Sequence, residues 1–507
     1  MTWYRLIFVL GLSLAGITER VSAIEPILVD KQDVSLSSHE LPDISSFDRE
    51  FVLESLSKHK VRGQSQIQRL YAERSVLTAL YSVTFADLAA RQDRVPQGIF
   101  ISQGLMTLME LAQENPGYVH QVSEQIYEIY KPLVILPGAA LVVSNGEQMR
   151  LSEDDGAYLF SAGDLYVIDA TIMGWRKKEN DAASYTGDPL KFRPFFLAYG
   201  GSQTYILDSK ISHLGYQARA SYGFTLKGAT QAGLAGLSNT LRSQLARTPK
   251  SWIVDSHFEQ LYFGFYCGEI HHTVIVGNRY HDNIVYGIDP HDYATDLIIA
   301  RNRVSGTREK HGIILSREVT NSWIFENNVH NNNRSGIMMD RSSNGNVIAF
   351  NESYENGGDG ITLYESSDTL VYGNRVYKNA EHGIRVRNSL KATMRNNVVL
   401  GNQGAGIYFH TRSLADHTYR DLSRDPYEER VSGTVDGGLI AGNRAGAAFS
   451  ANIEELKLGH ISVYQNGHSA SSAQFRGEIR PFDTTLRYSL FPPEKWLRLA
   501  PRSTETP

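Results

Sequence analysis

Between residues 287 and 410 short runs of alternating apolar and polar residues recur at a nearly fixed interval. Each run opens on a Gly-Ile pair, at Gly287, Gly312, Gly336, Gly360, Gly383 and Gly406, with spacings of 25, 24, 24, 23 and 23. Counting from each glycine, the first and third positions are apolar: Ile288 and Pro290, Ile313 and Leu315, Ile337 and Met339, Ile361 and Leu363, Ile384 and Val386, Ile407 and Phe409. Side chains alternate across a strand, so these positions point to a shared core and the second and fourth face solvent on one sheet. A second series, Asn278, Asn302, Asn327, Asn351, Asn374 and Asn397, keeps the same period, and Asn283, Thr307, Asn332, Asn356, Asn379 and Asn402 follow it five residues later. Asparagine tolerates left-handed turns and stacks into ladders between rungs. The period means a solenoid, whose turns bury their apolar faces against one another. The leucine-rich-repeat signature is absent, and three short strands with three turns per rung predict an all-β fold, a right-handed parallel β-helix.

Outside this repeat the pattern changes. Val52, Leu53 and Leu56 are spaced for one helix face, and Leu70, Leu77 and Leu80 for another. Leu105, Met106, Leu108, Met109 and Leu111 predict a third helix, ending near Asn115-Pro116-Gly117. Residues 24–132 therefore read as a lead-in and a partly helical cap over the open N-terminal edge of the solenoid. Residues 133–450 read as the β-helix, and 451–507 as a last strand and C-terminal cap. Two polar or small-residue-rich insertions, 177–195 and 229–250, are expected to overhang the binding face. After Arg412 the repeat weakens, and 415–429 is charged and irregular.

Residues 1–23 read as a secretory signal: Arg5, an apolar run from Leu6 to Ile17, and Val21-Ser22-Ala23 before a cleavage point at Ile24. No other apolar run is long enough to span a bilayer, so the mature chain is expected to have no membrane span. The lone Cys267 permits no intrachain disulfide and falls on the repeat as a core hydrophobe. A net charge of -5 over 507 residues argues against nucleic-acid binding.

Basic residues gathered in one groove still suit an acidic substrate. The fourth positions of successive rungs read His291, Ser316, Asp340, Tyr364, Arg387, His410; the second read Asp289, Ile314, Met338, Thr362, Arg385, Tyr408; the fifth read Asp292, Arg317, Arg341, Glu365, Asn388, Thr411. With Lys227 from an earlier rung, one face gathers Lys227, Asp340, Arg341, Tyr364, Arg385, Arg387, Tyr408 and His410 as candidate substrate-binding residues. Rungs about 4.8 Å apart make this a long strip, and cations interleaved with rings suit an anionic sugar polymer.

Within the strip, His291 and Arg317 lie on adjacent rungs, Asp289 shares a strand face with His291, and Asp292 stacks beside Arg317. An arginine that neutralises a uronate carboxylate stabilises an enolate-like intermediate. A neutral histidine removes the adjacent proton, and an aspartate beside it fixes its tautomer. Reprotonation on the opposite face gives epimerisation; expulsion of the 4-linked oxygen gives β-elimination. The constellation leaves both open, and a non-catalytic carbohydrate-binding solenoid beside them. Asp289 and Asp340 share the face, which keeps paired-acid glycoside hydrolysis open as a further reading, although they sit two rungs apart on different columns. His271, His272 and His281 lack a metal-ligand arrangement, no calcium nonapeptide repeat is present, and no metal or cofactor is expected.

Asp289-Pro290-His291-Asp292 on a repeating coil, with His311-Gly312-Ile313-Ile314-Leu315-Ser316-Arg317-Glu318-Val319 after it, resembles the periplasmic mannuronan C5-epimerases of alginate-producing bacteria. Ser335-Gly336-Ile337-Met338 and Gly360-Ile361-Thr362-Leu363-Tyr364-Glu365-Ser366 carry the resemblance onward. It implies conversion of β-D-mannuronate to α-L-guluronate within polymannuronate during alginate biosynthesis, before secretion. It also implies His291 as base, Arg317 as carboxylate neutraliser, water as acid, no calcium requirement, and association with a periplasmic alginate secretion complex.

Overall fold

The computed structural model describes residues 24–30, 40–70, 90–92, 95–247, 251–416, 420–450, 453–467, 478–482 and 495–501. The chain winds into a right-handed parallel β-solenoid of about 14 turns. Each regular turn lays down three short strands. One such turn runs Phe263–Gly268, Val274–Val276 and Arg279–His281, and the next opens with Tyr286–His291. Each strand pairs in parallel with its counterpart one turn on, in the register read from the sequence: Lys227 with Gly268, Gly268 with His291, His291 with Ser316, and Ser316 with Asp340.

The inward positions form one continuous core; Ile288, Ile313, Leu315, Ile337, Met339, Ile361, Leu363, Ile384 and Val386 are all fully buried. The repeat glycines answer to crowding. A Cβ on Gly287 would come 2.4 Å from Val304 Cγ1 and 2.5 Å from Gly312 O. Both asparagine series form buried ladders. Asn278 Nδ2 donates to Asn302 Oδ1 at 3.0 Å, and Asn302, Asn327, Asn351 and Asn374 each donate to the next asparagine at 2.9–3.0 Å. The second ladder continues through Asn402 to Asn443 and Asn466. These bonds satisfy polar groups that burial would otherwise penalise.

The helix around Val52 is present as Arg49–Ser57, capped by Asp48. The third expected helix is shorter than its apolar spacing suggests. Leu105 and Met106 lie on the strand Gln97–Thr107, and the helix spans Leu108–Glu114, set by a capping box between Thr107 and Glu110. The strand wins because it already pairs in parallel with Leu133–Ile135 and Ala139–Ser144. Leu77 and Leu80 lie outside the described residues. The lead-in is not irregular throughout, since Ile24–Asp30 pairs antiparallel with Lys495–Pro501. The insertion 229–250 carries two short helices, Gln231–Leu234 and Asn239–Leu245. With Phe192, Phe195 and Tyr216 from around the first insertion, Leu234 and Leu245 bury an apolar layer against Phe160, Leu197 and Tyr199. Upstream rungs of the strip's sheet are thereby closed, and its polar part begins near Lys227. Among the described residues no helix is long and apolar enough to cross a membrane.

Candidate active site

The strands that carry the strip end in left-handed turns. Asp292, Arg317, Arg341, Glu365 and Asn388 all have positive φ, between 40° and 63°. Such backbone is uncommon outside glycine and is held here by its neighbours. Five consecutive rungs thus present their fifth side chain from the same kind of corner.

At the first of these corners three side chains meet. Arg317 Nη1 donates to Asp292 Oδ1 at 3.0 Å. His291 Nδ1 lies 3.1 Å from the same oxygen, a close polar contact without the alignment of a hydrogen bond. Tyr266 stands one rung back, its ring stacked on His291 at 5.8 Å and its hydroxyl donating to Asp292 Oδ2 at 3.4 Å. Burial opposes ionisation of Asp292, but His291 and Arg317 override it and hold the carboxyl well below its usual range. Asp292, rather than Asp289, is therefore the carboxylate placed against the imidazole. Asp289 is 2% exposed, its Oδ1 has no hydrogen-bond partner, and burial pushes its pKa up to about 7.

A residue outside the repeat completes the corner. The Asp425 carboxylate, 3% exposed, takes Arg317 Nε on Oδ1 at 2.8 Å and Nη2 on Oδ2 at 3.0 Å. These bonds, with Asp292, raise the guanidinium's affinity for its proton still further. Asp425 belongs to the segment between strands Ala405–His410 and Ser432–Asp436, which crosses outside the sheet. Arg420 pins the same segment, donating to Glu365 Oε2 at 2.6 Å and to the Asp425 carbonyl. The second- and fourth-position side chains do point away from the core, but contrary to expectation many are buried, among them Asp289, Thr362, Arg387, Tyr408 and His410. Mutual packing along the columns and this crossing segment account for it.

A family model described as a right handed beta helix region matches residues 264–418. The chain is 39% identical over 443 residues to a mannuronan C5-epimerase of Pseudomonas putida, covering 87% of this chain and 82% of that protein. Against the mannuronan C5-epimerase of Pseudomonas aeruginosa it is 40% identical over 436 residues, covering 85% and 78%. The chain belongs to the mannuronan C5-epimerase family. The crystal structure of the periplasmic alginate epimerase AlgG superimposes on it with a TM-score of 0.79 at 37% identity, covering 84% of this chain and 99% of that chain. The protein is accordingly a carbohydrate isomerase.

The other strip residues of this epimerase fall into two groups. Lys227 pairs with Glu269 at 2.6 Å, two rungs from His291. Arg341 lies 3.3 Å from Asp340 and 3.7 Å from Asp425, at the edge of the His291 corner. Asp340 is deeply set, and burial with the nearby Glu365 pushes its pKa up. Further along, Arg387 is buried and bonds Glu365 through Nε at 2.9 Å and Nη2 at 3.2 Å. Its guanidinium lies 3.5 Å from the centre of the Tyr364 ring. Arg385 spans Asp359, Glu381 and His410, donating from Nε to His410 Nε2 at 3.2 Å. Burial, with Arg385 and Arg387 beside it, pushes His410 down to about 2, so it stays neutral. Tyr408 is buried against it at 4.4 Å. Among the described residues no cluster of three or more His, Cys, Asp or Glu forms a metal cage.

Sequence reasoning missed Asp425, Arg420, Tyr266 and the use of Glu365. A signal for the first two was present. The second asparagine ladder steps 23 residues from Asn379 to Asn402 but 41 from Asn402 to Asn443. That excess marks an insertion emerging beside the strip's last rungs.

Proposed function

We propose that the protein converts β-D-mannuronate to α-L-guluronate within polymannuronate, with His291 as base and Arg317 as neutraliser of the substrate carboxylate. The observation that carries this is a histidine whose Nδ1 is buried without an aligned bond, beside a carboxylate shared with a fixed arginine. With Nδ1 turned to Asp292, Nε2 is the nitrogen that takes the C5 proton. Asp292 stays ionised and stabilises the imidazolium that forms. Arg317 has five N–H donors; three bind Asp425 and Asp292, which leaves two for the uronate carboxylate. Charge that spreads from C5 into that carboxylate then meets a guanidinium that needs no reorganisation. Water returns the proton on the opposite face. Asp425 holds the arginine in orientation, and Lys227 and Arg341 supply further cationic contacts along the polymer.

The description of the AlgG neighbour as periplasmic and the N-terminal signal pattern support a periplasmic location after removal of residues 1–23, where the protein would work within an alginate secretion complex. Proton NMR of polymannuronate incubated with the mature chain in D2O tests the reaction. Guluronate carrying deuterium at C5 is expected. Unsaturated chain ends would instead make the protein a lyase, and an unchanged spectrum with bound polymer a binding scaffold.

A further inference from the structure

The strip is not the only place where cations line up along this solenoid. On the sheet formed by the third strand of each turn, Arg279 and Arg303 are stacked in register on adjacent rungs, from strands Arg279–His281 and Arg303–Ser305. Both are exposed, and neither makes an ion pair or a side-chain hydrogen bond among the described residues. The charged side chains of the catalytic strip are largely committed to protein partners, so two unengaged arginines one rung apart stand out. They border a hollow of about 510 Å³, lined also by His281, Ser305 and His330. His330 is 7% exposed, and both of its ring nitrogens lack a hydrogen-bond partner. Burying two such nitrogens unpaired is costly, and a ligand oxygen in the hollow would relieve it. Of the acids around the hollow, Asp282 lies 3.2 Å from His281, Glu355 pairs with Lys378 at 3.6 Å, and Glu352, two rungs on in the arginine column, pairs with Arg375 at 3.3 Å.

The arginine column itself passes to Asn328 and then to Glu352, while the column beside it, two residues along each strand, carries rings. His330 stacks on Tyr354 at 4.9 Å and Tyr354 on Tyr377 at 4.8 Å, with planes 9° and 1° apart. Paired cations beside a row of ring edges along the solenoid axis match a chain that offers a carboxylate and apolar C–H groups at each repeat. A lone inorganic anion would have no use for the ring column.

We propose that Arg279, Arg303 and His330 form a second polyuronate-binding site, separate from the catalytic strip. Uronate carboxylates bind the two arginines, and the sugar rings lie against the outer edges of Tyr354 and Tyr377. The site rests on the polyuronate substrate reading above, and it gives a long polymer a second hold on the same molecule.

The test is calorimetric titration of the full mature chain, carrying His291→Ala to prevent turnover, with short mannuronate oligosaccharides. Two saturable sites are expected, and one after Arg279→Ala with Arg303→Ala. Arg279→Lys with Arg303→Lys should retain the second site at weakened affinity, because charge survives and bidentate contact does not. A single site in both the His291→Ala protein and its double-arginine derivative would overturn the proposal. So would a second site that takes inorganic phosphate and no uronate. Absence of any uronate binding to either protein would overturn the substrate reading along with it.

Discussion

Two corners of the same sheet carry nearly the same residues and do different things. At one, His291, Asp292 and Arg317 meet; further on, Glu365 stands in the Asp292 column three rungs away, and Arg387 and His410 stand in the His291 column four and five rungs away. In the far corner every charge is spoken for. Glu365 takes bonds from both Arg387 and Arg420, and His410 accepts from Arg385 and is kept neutral. In the near corner Asp292 Oδ1 is shared between Arg317 and the His291 ring, His291 Nδ1 lacks an aligned partner, and Asp289 Oδ1 has none. Residue type does not separate chemistry from structure here; the unsatisfied polar atoms do. The far corner is a satisfied network that ties the crossing segment down, and the near corner is the place left ready for a substrate.

Substitutions can push the two corners further apart. His291→Ala should cut turnover by about 10²- to 10⁴-fold, the range for loss of a general base, with the melting temperature within a degree or two of the parent. A large melting shift with turnover retained would remove His291 from the chemistry. Glu365→Ala should do the reverse. It strands Arg387 and Arg420 in a buried site, so a loss of about 3–5 kcal/mol is expected in denaturant unfolding, with a smaller fall in turnover by the folded fraction as the segment that carries Asp425 loosens. Unchanged stability would mean that the far corner is not the network described.

Arg317→Ala should lower kcat by about 10²- to 10³-fold, as removal of a positioned charge does. Arg317→Lys should recover only part of it, since an ammonium cannot hold Asp425 and a substrate carboxylate with one planar fork. Full activity in steady-state assays of the lysine variant would contradict the bidentate role. The smallest effect is expected at Asp289. Its folded pKa of about 7 lies above the usual 3.8, so the folded state binds the extra proton. Stability is then greatest below the usual value, falls as pH rises through the window from 3.8 to 7, and stays reduced above it. Asp289→Asn, which mimics the protonated form, should raise the melting temperature by a few degrees at pH 8 and leave it unchanged at pH 4.

The fold was legible because a solenoid repeats its constraints. Ile288, Ile313, Ile337, Ile361, Ile384 and Ile407 face the same core for the same reason, and six copies of one pattern outweigh the ambiguity of any single one. Register followed, and with it the adjacency of His291 and Arg317. What stayed hidden lies off the repeat. Asp425 reaches Arg317 across 108 residues of sequence from a segment with no periodicity. Columns showed which residues point outward, but burial of Arg387, Tyr408 and His410 depends on that crossing segment and on neighbours in the same column. The strip therefore read as uniformly available when only its part near His291 is.

The central claim is that His291 removes the C5 proton while Arg317 holds the carboxylate. The most direct test is release of tritium to water from polymannuronate labelled at C5, measured for the parent chain and for folded His291→Ala at saturating polymer. The account predicts steady release by the parent and background release by the variant although polymer still binds. Release by His291→Ala at the parent's rate would contradict it.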